Sequence, residues 1–286
     1  MKKLCAMILI LLVILPGCAP KAKYHIAATT LPVYEFTSML CDDTPITVTQ
    51  LITEEVSCLH DYSIQVSQMQ KIESAQAIVL SGGGLESFLD GVLDSQQAII
   101  NASAGITFIC GHDEHEDGHD HENDPHIWLS PENAKQMCKN IAAQLCALYP
   151  EQQSRFDENL NDLLTKLDAL QHYGDATLQN LSCRELITFH DGFSYFADAF
   201  DLHILKAVEE ESGSEVSAKG LIALCNLIEA HQIPAVFIEK NGSTASATAI
   251  RAEIGVKAYA LDMAMSGNSY FDAMYHNINT IKEALG

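Results

Sequence analysis

Basic residues are scarce in this 286-residue chain. Sixteen Lys and Arg stand against thirty-eight Asp and Glu, giving a formal charge of -22. A nucleic-acid binder needs a basic footprint, so that class is excluded, whereas a field of this sign attracts cations. Several signatures are missing as well. Without a C-x-x-C pair, a thiolate zinc knuckle or a dithiol redox motif is not expected. Ser81-Gly82-Gly83-Gly84 has no Gly-Lys-Ser/Thr after it and fits no dinucleotide fingerprint, so it reads as a tight strand-to-helix turn rather than a phosphate loop.

What is present begins with a processing signal. Lys2 and Lys3 precede an apolar run, Leu4 to Leu15, that is too short to span a bilayer as a stable anchor. The run ends in Leu15-Pro16-Gly17-Cys18, a small residue before Cys that resembles a bacterial lipoprotein signal cleaved ahead of a lipidated Cys18. The alternative is an ordinary secretory cut near Ala19 to Ala22. Either one implies export. Seven cysteines follow Cys18, an odd number that cannot all pair within one chain. Cys138, Cys146 and Cys225 lie in apolar helical settings and read as small core residues.

The most distinctive stretch is His112 to His126, HDEHEDGHDHENDPH, with five of the twelve histidines and seven acidic residues in fifteen positions. Imidazole and carboxylate at this density suit zinc; the plain alternative is a solvated acidic loop.

Apolar strand candidates alternate with amphipathic helices, which predicts an α/β protein with largely parallel sheets. In the first half the strands fall near 25–29, 46–51, 77–80 and 98–100, with helices near 33–40, 64–72, 85–93 and 131–148. The second half repeats the alternation, with strands near 185–189, 203–208, 235–238 and 256–260 and helices near 193–200, 218–230, 245–254 and 270–285. Between them Phe156, Leu160, Leu163, Leu164, Leu167 and Leu170 recur at three- and four-residue spacing. That spacing predicts one helix roughly 40 Å long, stiff enough to tie two lobes together.

Ligands in open α/β sheets collect beyond the carboxyl ends of the strands. That rule selects His60, His126, His190 and Asp262, two from each half. Three imidazoles and a carboxylate form a closed tetrahedral set for zinc. Each also has an ordinary alternative: His190 as a helix cap, Asp262 as a turn residue, His60 as a surface histidine. Their joint placement favours the metal. Glu239, ending an apolar strand, is a candidate to support the ligands or replace one.

These residues sit in segments similar to a known family. Asp124-Pro125-His126-Ile127-Trp128-Leu129-Ser130-Pro131 and Phe189-His190-Asp191-Gly192-Phe193-Ser194-Tyr195-Phe196 resemble the metal-binding solute-binding lipoproteins of ABC transporters, and within them the zinc-type members. His60-Asp61-Tyr62, Gly84-Leu85-Glu86 and Ser217-Ala218-Lys219 look like the same family, and the similarity covers essentially the whole mature chain. The resemblance implies two lobes, each with a mostly parallel sheet flanked by helices, joined by one long rigid helix. It places Zn2+ between them on His60, His126, His190 and Asp262. Manganese-type members look to have Glu where His190 stands.

The implied organisation is a signal peptide at 1–17, a first lobe at 18–150 carrying the acidic His loop 112–126, a linking helix at 151–179 and a second lobe at 180–286. The implied role is capture of zinc outside the membrane, by a lipid-anchored monomer, for an ABC permease and its ATPase, with no bond made or broken. A manganese or iron binder, or a secreted zinc hydrolase, are the rival readings. His112, His115, His119 and His121 read as an accessory zinc-gathering loop. The family usually has Asp-Pro or a similar pair before its first His. Here Cys58-Leu59 precedes His60, which brings Cys58 near the metal as a soft competitor. Asp262 leads into Met263-Ala264-Met265 instead of a Pro-containing turn.

Overall fold

The computed structural model describes residues 23–56, 59, 62–93, 97–109, 123–209, 217–241 and 245–286. The expected α/β alternation is present. The first lobe holds β1 (Tyr24–Ala28), α1 (Leu31–Leu40), β2 (Ile46–Gln50), α2 (Val66–Ser74), β3 (Ala77–Leu80), β4 (Ala98–Asn101) and α3 (Pro131–Leu148). Then comes α4 (Gln153–Leu178). The second lobe holds β5 (Glu185–His190), α5 (Ser194–Ala199), β6 (His203–Glu209), α6 (Ala218–His231), β7 (Ala235–Glu239), α7 (Ala245–Ile254), β8 (Lys257–Leu261) and α8 (Tyr270–Leu285). Both sheets are parallel and share one plan. Their strand orders are β2-β1-β3-β4 and β6-β5-β7-β8. In each, the chain turns back across its first strand, which opens a crevice at the carboxyl ends.

Strands such as Ala77-Ile-Val-Leu80 are apolar on both faces because helices cover both sides of a parallel sheet. The linking helix α4 buries Phe156, Leu163, Leu167, Leu170, Gly174 and Leu178. This stripe lies against α1 and α3 of the first lobe and α8 of the second, so α4 is packed along its length as a spine. One apolar core runs from Ile26 and Phe36 through Trp128 and Leu163 to Phe196 and Tyr270. Cys41 and Cys138 are buried within it as free thiols, and burial pushes the Cys41 thiol up to about 12. Cys225 is also buried and free.

One expected helix is not there. Residues 85–93 form only a short 3-10 turn, Ser87–Leu89. Gly82, Gly83 and Gly84 all have positive φ, and Gly91 (φ +77°) cannot continue a right-handed helix. Glu86 bends back so that its carboxylate accepts the Ser81 N–H at 2.7 Å, the Gly82 N–H at 3.0 Å and the Thr29 hydroxyl at 2.7 Å. The glycine turn therefore presents its amide donors to the chain's own carboxylate, which agrees with reading it as structural. Among the described residues no helix is long and apolar enough to cross a membrane.

Candidate metal centre

His126 lies between β4 and α3, just before a 3-10 turn, Ile127–Leu129. Pro125 keeps residue 124 out of helical conformation, and the Asp124 side chain folds back over the turn. One Asp124 oxygen, Oδ1, accepts the His126 backbone N–H at 2.9 Å and the His126 Nδ1–H at 2.8 Å. An ionised carboxylate only accepts, so the proton must sit on Nδ1 and the Nε2 lone pair is left to bind. His126 is 1% exposed, and its Nε2 has no hydrogen-bond partner among the described residues.

His190 is the last residue of β5, and Glu239 is the last residue of its neighbour β7. Thr188 pairs with Phe237 in register, so two residues further on His190 and Glu239 emerge side by side. His190 Nε2 lies 3.5 Å from Glu239 Oε1, and both side chains are almost wholly buried. The His190 ring meets the His126 ring edge to face, with centroids 5.2 Å apart. The two imidazoles thus come together across the two lobes. His190 does not cap α5, whose N-cap position is Phe193. Gly192 makes room for the imidazole: a Cβ there would sit 2.6 Å from Met263 Cε and 2.9 Å from His190 Nε2.

Asp262 follows β8 directly. Its backbone is held at two points by the buried Asn277 of α8, which accepts the Asp262 N–H and donates to the Asp262 carbonyl, both at 2.7 Å. Its carboxylate is engaged as well. Oδ1 accepts the Ala264 N–H at 2.9 Å, a turn made by a residue at φ +54°, and Oδ2 pairs with Lys240 Nζ at 2.9 Å. Of the two carboxylates named from sequence, Glu239 is the one in contact with His190, while Asp262 is paired with Lys240. Both line one small interlobe pocket together with Val56, Met263 and Met265.

His60 and Cys58 lie outside the described residues, as do Cys18, His112, His115, His119 and His121. Leu59, directly before His60, is fully buried and its carbonyl accepts the Tyr62 N–H at 3.1 Å. The Tyr62 hydroxyl bonds to Glu54 and Gln68. Among the described residues alone, no group of three or more His, Cys, Asp or Glu is placed to hold a metal ion. His25, His172, His231 and His276 bond to surface or backbone groups elsewhere.

Trp128, in the same segment as His126, donates its indole N–H to the Met263 carbonyl at 2.8 Å, and the Tyr270 hydroxyl donates to the Trp128 carbonyl at 2.9 Å. The His126 turn and the Asp262 turn are therefore tied to each other. Sequence reading did not assign roles to Asp124, Gly192, Lys240 or Tyr195. Asp124 has a local signal, an acid two residues before a ligand-type His with Pro between. Tyr195 has none, because its contacts span 71 and 86 residues of chain.

Two parallel-sheet lobes on a helical spine, with an imidazole from each lobe meeting in the crevice, give the chain the architecture of a two-lobed binding protein. The chain belongs to the family described as zinc-uptake complex component A, periplasmic, whose model matches residues 26–284. It is 28% identical over 280 residues to the zinc-binding lipoprotein AdcA of Streptococcus pneumoniae, covering 91% of this chain but 56% of that protein, so it spans little more than half the length of such relatives. It is also 28% identical over 282 residues to the high-affinity zinc uptake system protein ZnuA of Bacillus subtilis, covering 92% of this chain and 88% of that one. Among solved structures, a crystal structure of ZnuA superposes with a TM-score of 0.81 at 29% identity, covering 92% of this chain and 99% of that one. The Zn(II)-bound ZnuA-like domain of S. pneumoniae AdcA gives 0.77 at 27%, with 92% and 99% covered.

Proposed function

We propose that this protein captures Zn2+ outside the cytoplasmic membrane and delivers it to an ABC permease driven by its ATPase. The observation that carries the reading is the buried His126 Nε2, its lone pair fixed by Asp124 and its ring set against His190. In this reading neutral His60, His126 and His190 hold the ion with Asp262 as the fourth ligand, and Glu239 braces His190. The relatives named for zinc support the choice of cargo. Imidazole at position 190 also favours zinc over manganese, which prefers oxygen-rich sites.

The protein acts as a carrier and not as an enzyme, because a fourth protein ligand leaves no open position for an activated water. Residues 1–17 are its signal peptide, and Cys18 carries the lipid that anchors a monomer at the membrane. Residues 18–150 and 180–286 form the lobes around the linking segment 151–179. His112, His115, His119 and His121 gather zinc weakly beside the tight site. Equilibrium competition between zinc and manganese for the purified chain tests the cargo: zinc must win by a wide margin. Manganese binding as tightly, or hydrolytic turnover by the zinc-loaded protein, would overturn the reading.

A further inference from the structure

We propose that Tyr195 is a positioning residue for the metal centre: its hydroxyl, reaching from the second lobe, holds Asp124 in place and thereby aims His126. This rests on the reading of His126 as a zinc ligand.

Three contacts meet at one point. The Ile109 N–H donates to the Tyr195 hydroxyl at 2.9 Å, and that hydroxyl donates to the Asp124 carbonyl at 2.9 Å. The Asp124 N–H in turn donates to the Ile109 carbonyl at 3.0 Å. Ile109 and Asp124 are the two sides of the neck from which residues 110–122 depart and to which they return. The Tyr195 hydroxyl bridges both sides and comes from α5, in the opposite lobe. Asp124 is thus held at its N–H by its own lobe and at its carbonyl by the other. Its carboxylate then fixes His126 at the backbone and at Nδ1.

Tyr195 is 3% exposed and Asp124 is 5% exposed, so water does not readily replace either partner. A phenol that bridges a loop neck across a lobe boundary does two things at once. It sets the direction of the His126 lone pair, and it makes that direction depend on the lobes being together.

The test is Tyr195→Phe in the full chain, which keeps the buried ring and removes only the hydroxyl. Zinc affinity is read by competition with a chromophoric chelator, and the visible absorption of the cobalt(II)-loaded protein reports ligand geometry. Groups that orient metal ligands typically matter by about 10- to 100-fold; one step further removed, Tyr195→Phe is expected to weaken zinc by roughly three- to tenfold and to shift the cobalt bands. In an Asp124→Ala background the same change should add less than it does in the wild type, because its route to His126 is already cut. Unchanged affinity and an unchanged cobalt spectrum, with a tight wild-type site, overturn this proposal alone, as does a full additional loss in the Asp124→Ala background. A wild-type chain with no tight zinc site removes the zinc reading and this proposal with it.

Discussion

One oxygen of Asp124 holds His126 at two places, accepting the backbone N–H at 2.9 Å and the ring Nδ1–H at 2.8 Å. Asp124→Ala removes both bonds, frees the imidazole to rotate or change tautomer and leaves a buried N–H short of a partner. Zinc affinity is expected to fall by about 10- to 100-fold, with about 1–3 kcal/mol of stability lost. Chelator competition and urea unfolding check the two effects separately.

Gly192 has no room for a side chain. A Cβ would crowd Met263 and the His190 ring at 2.6–2.9 Å, closer than real Cβ contacts allow. Gly192→Ala should push His190 off its position and weaken zinc by at least about tenfold, while overpacking costs about 1–3 kcal/mol. A melt that shifts while the zinc titration stays at wild-type affinity would show that His190 moves freely without consequence.

Lys240 stands against Asp262 at 2.9 Å, and an ammonium there competes with any cation for that carboxylate. Its side chain is 58% exposed, so the ion pair contributes at most about 1 kcal/mol to folding. Lys240→Met is therefore expected to leave the unfolding midpoint nearly unchanged and to tighten zinc severalfold, measured by chelator competition. Asp262→Asn and Glu239→Gln, measured in parallel, separate the two carboxylates: on the four-ligand reading the Asp262 change costs more affinity.

Glu35 of α1 reaches across to α8 of the other lobe, where its carboxylate accepts the Tyr270 N–H at 2.5 Å and the Ser269 hydroxyl at 3.1 Å. Burial pushes its carboxyl above the ordinary value, more than these bonds and Lys166 pull it down, and Asp272 adds to the rise. A raised folded-state value means the folded chain holds this proton more tightly than the unfolded chain. Its contribution to stability is full below the unfolded value and is lost as pH rises through the folded one. Urea unfolding across the acidic range should reveal that falling component in the wild type and its absence in Glu35→Gln.

Most of the fold was legible because both sheets are parallel and covered, so their strands read as short apolar runs. The α4 stripe is equally plain at its 3.6-residue period. The expected helix at 85–93 fails because Glu86, an ordinary helix former, is recruited to the Gly82 turn by a tertiary contact that local propensity does not record. Candidate ligands were legible because strand ends are few and His190, Glu239 and Asp262 sit on them. The supports were not. Tyr195 and Trp128 act through backbone carbonyls 71 and 135 residues away, and nothing in the residue types predicts such pairs.

The central claim is a single tight zinc site built around His126. Metal analysis of the purified full chain, alone and as His126→Ala, tests it most directly. The account predicts one zinc retained per wild-type chain through dialysis and loss of that zinc in the variant, with both proteins folded. Undiminished tight zinc in His126→Ala would contradict it.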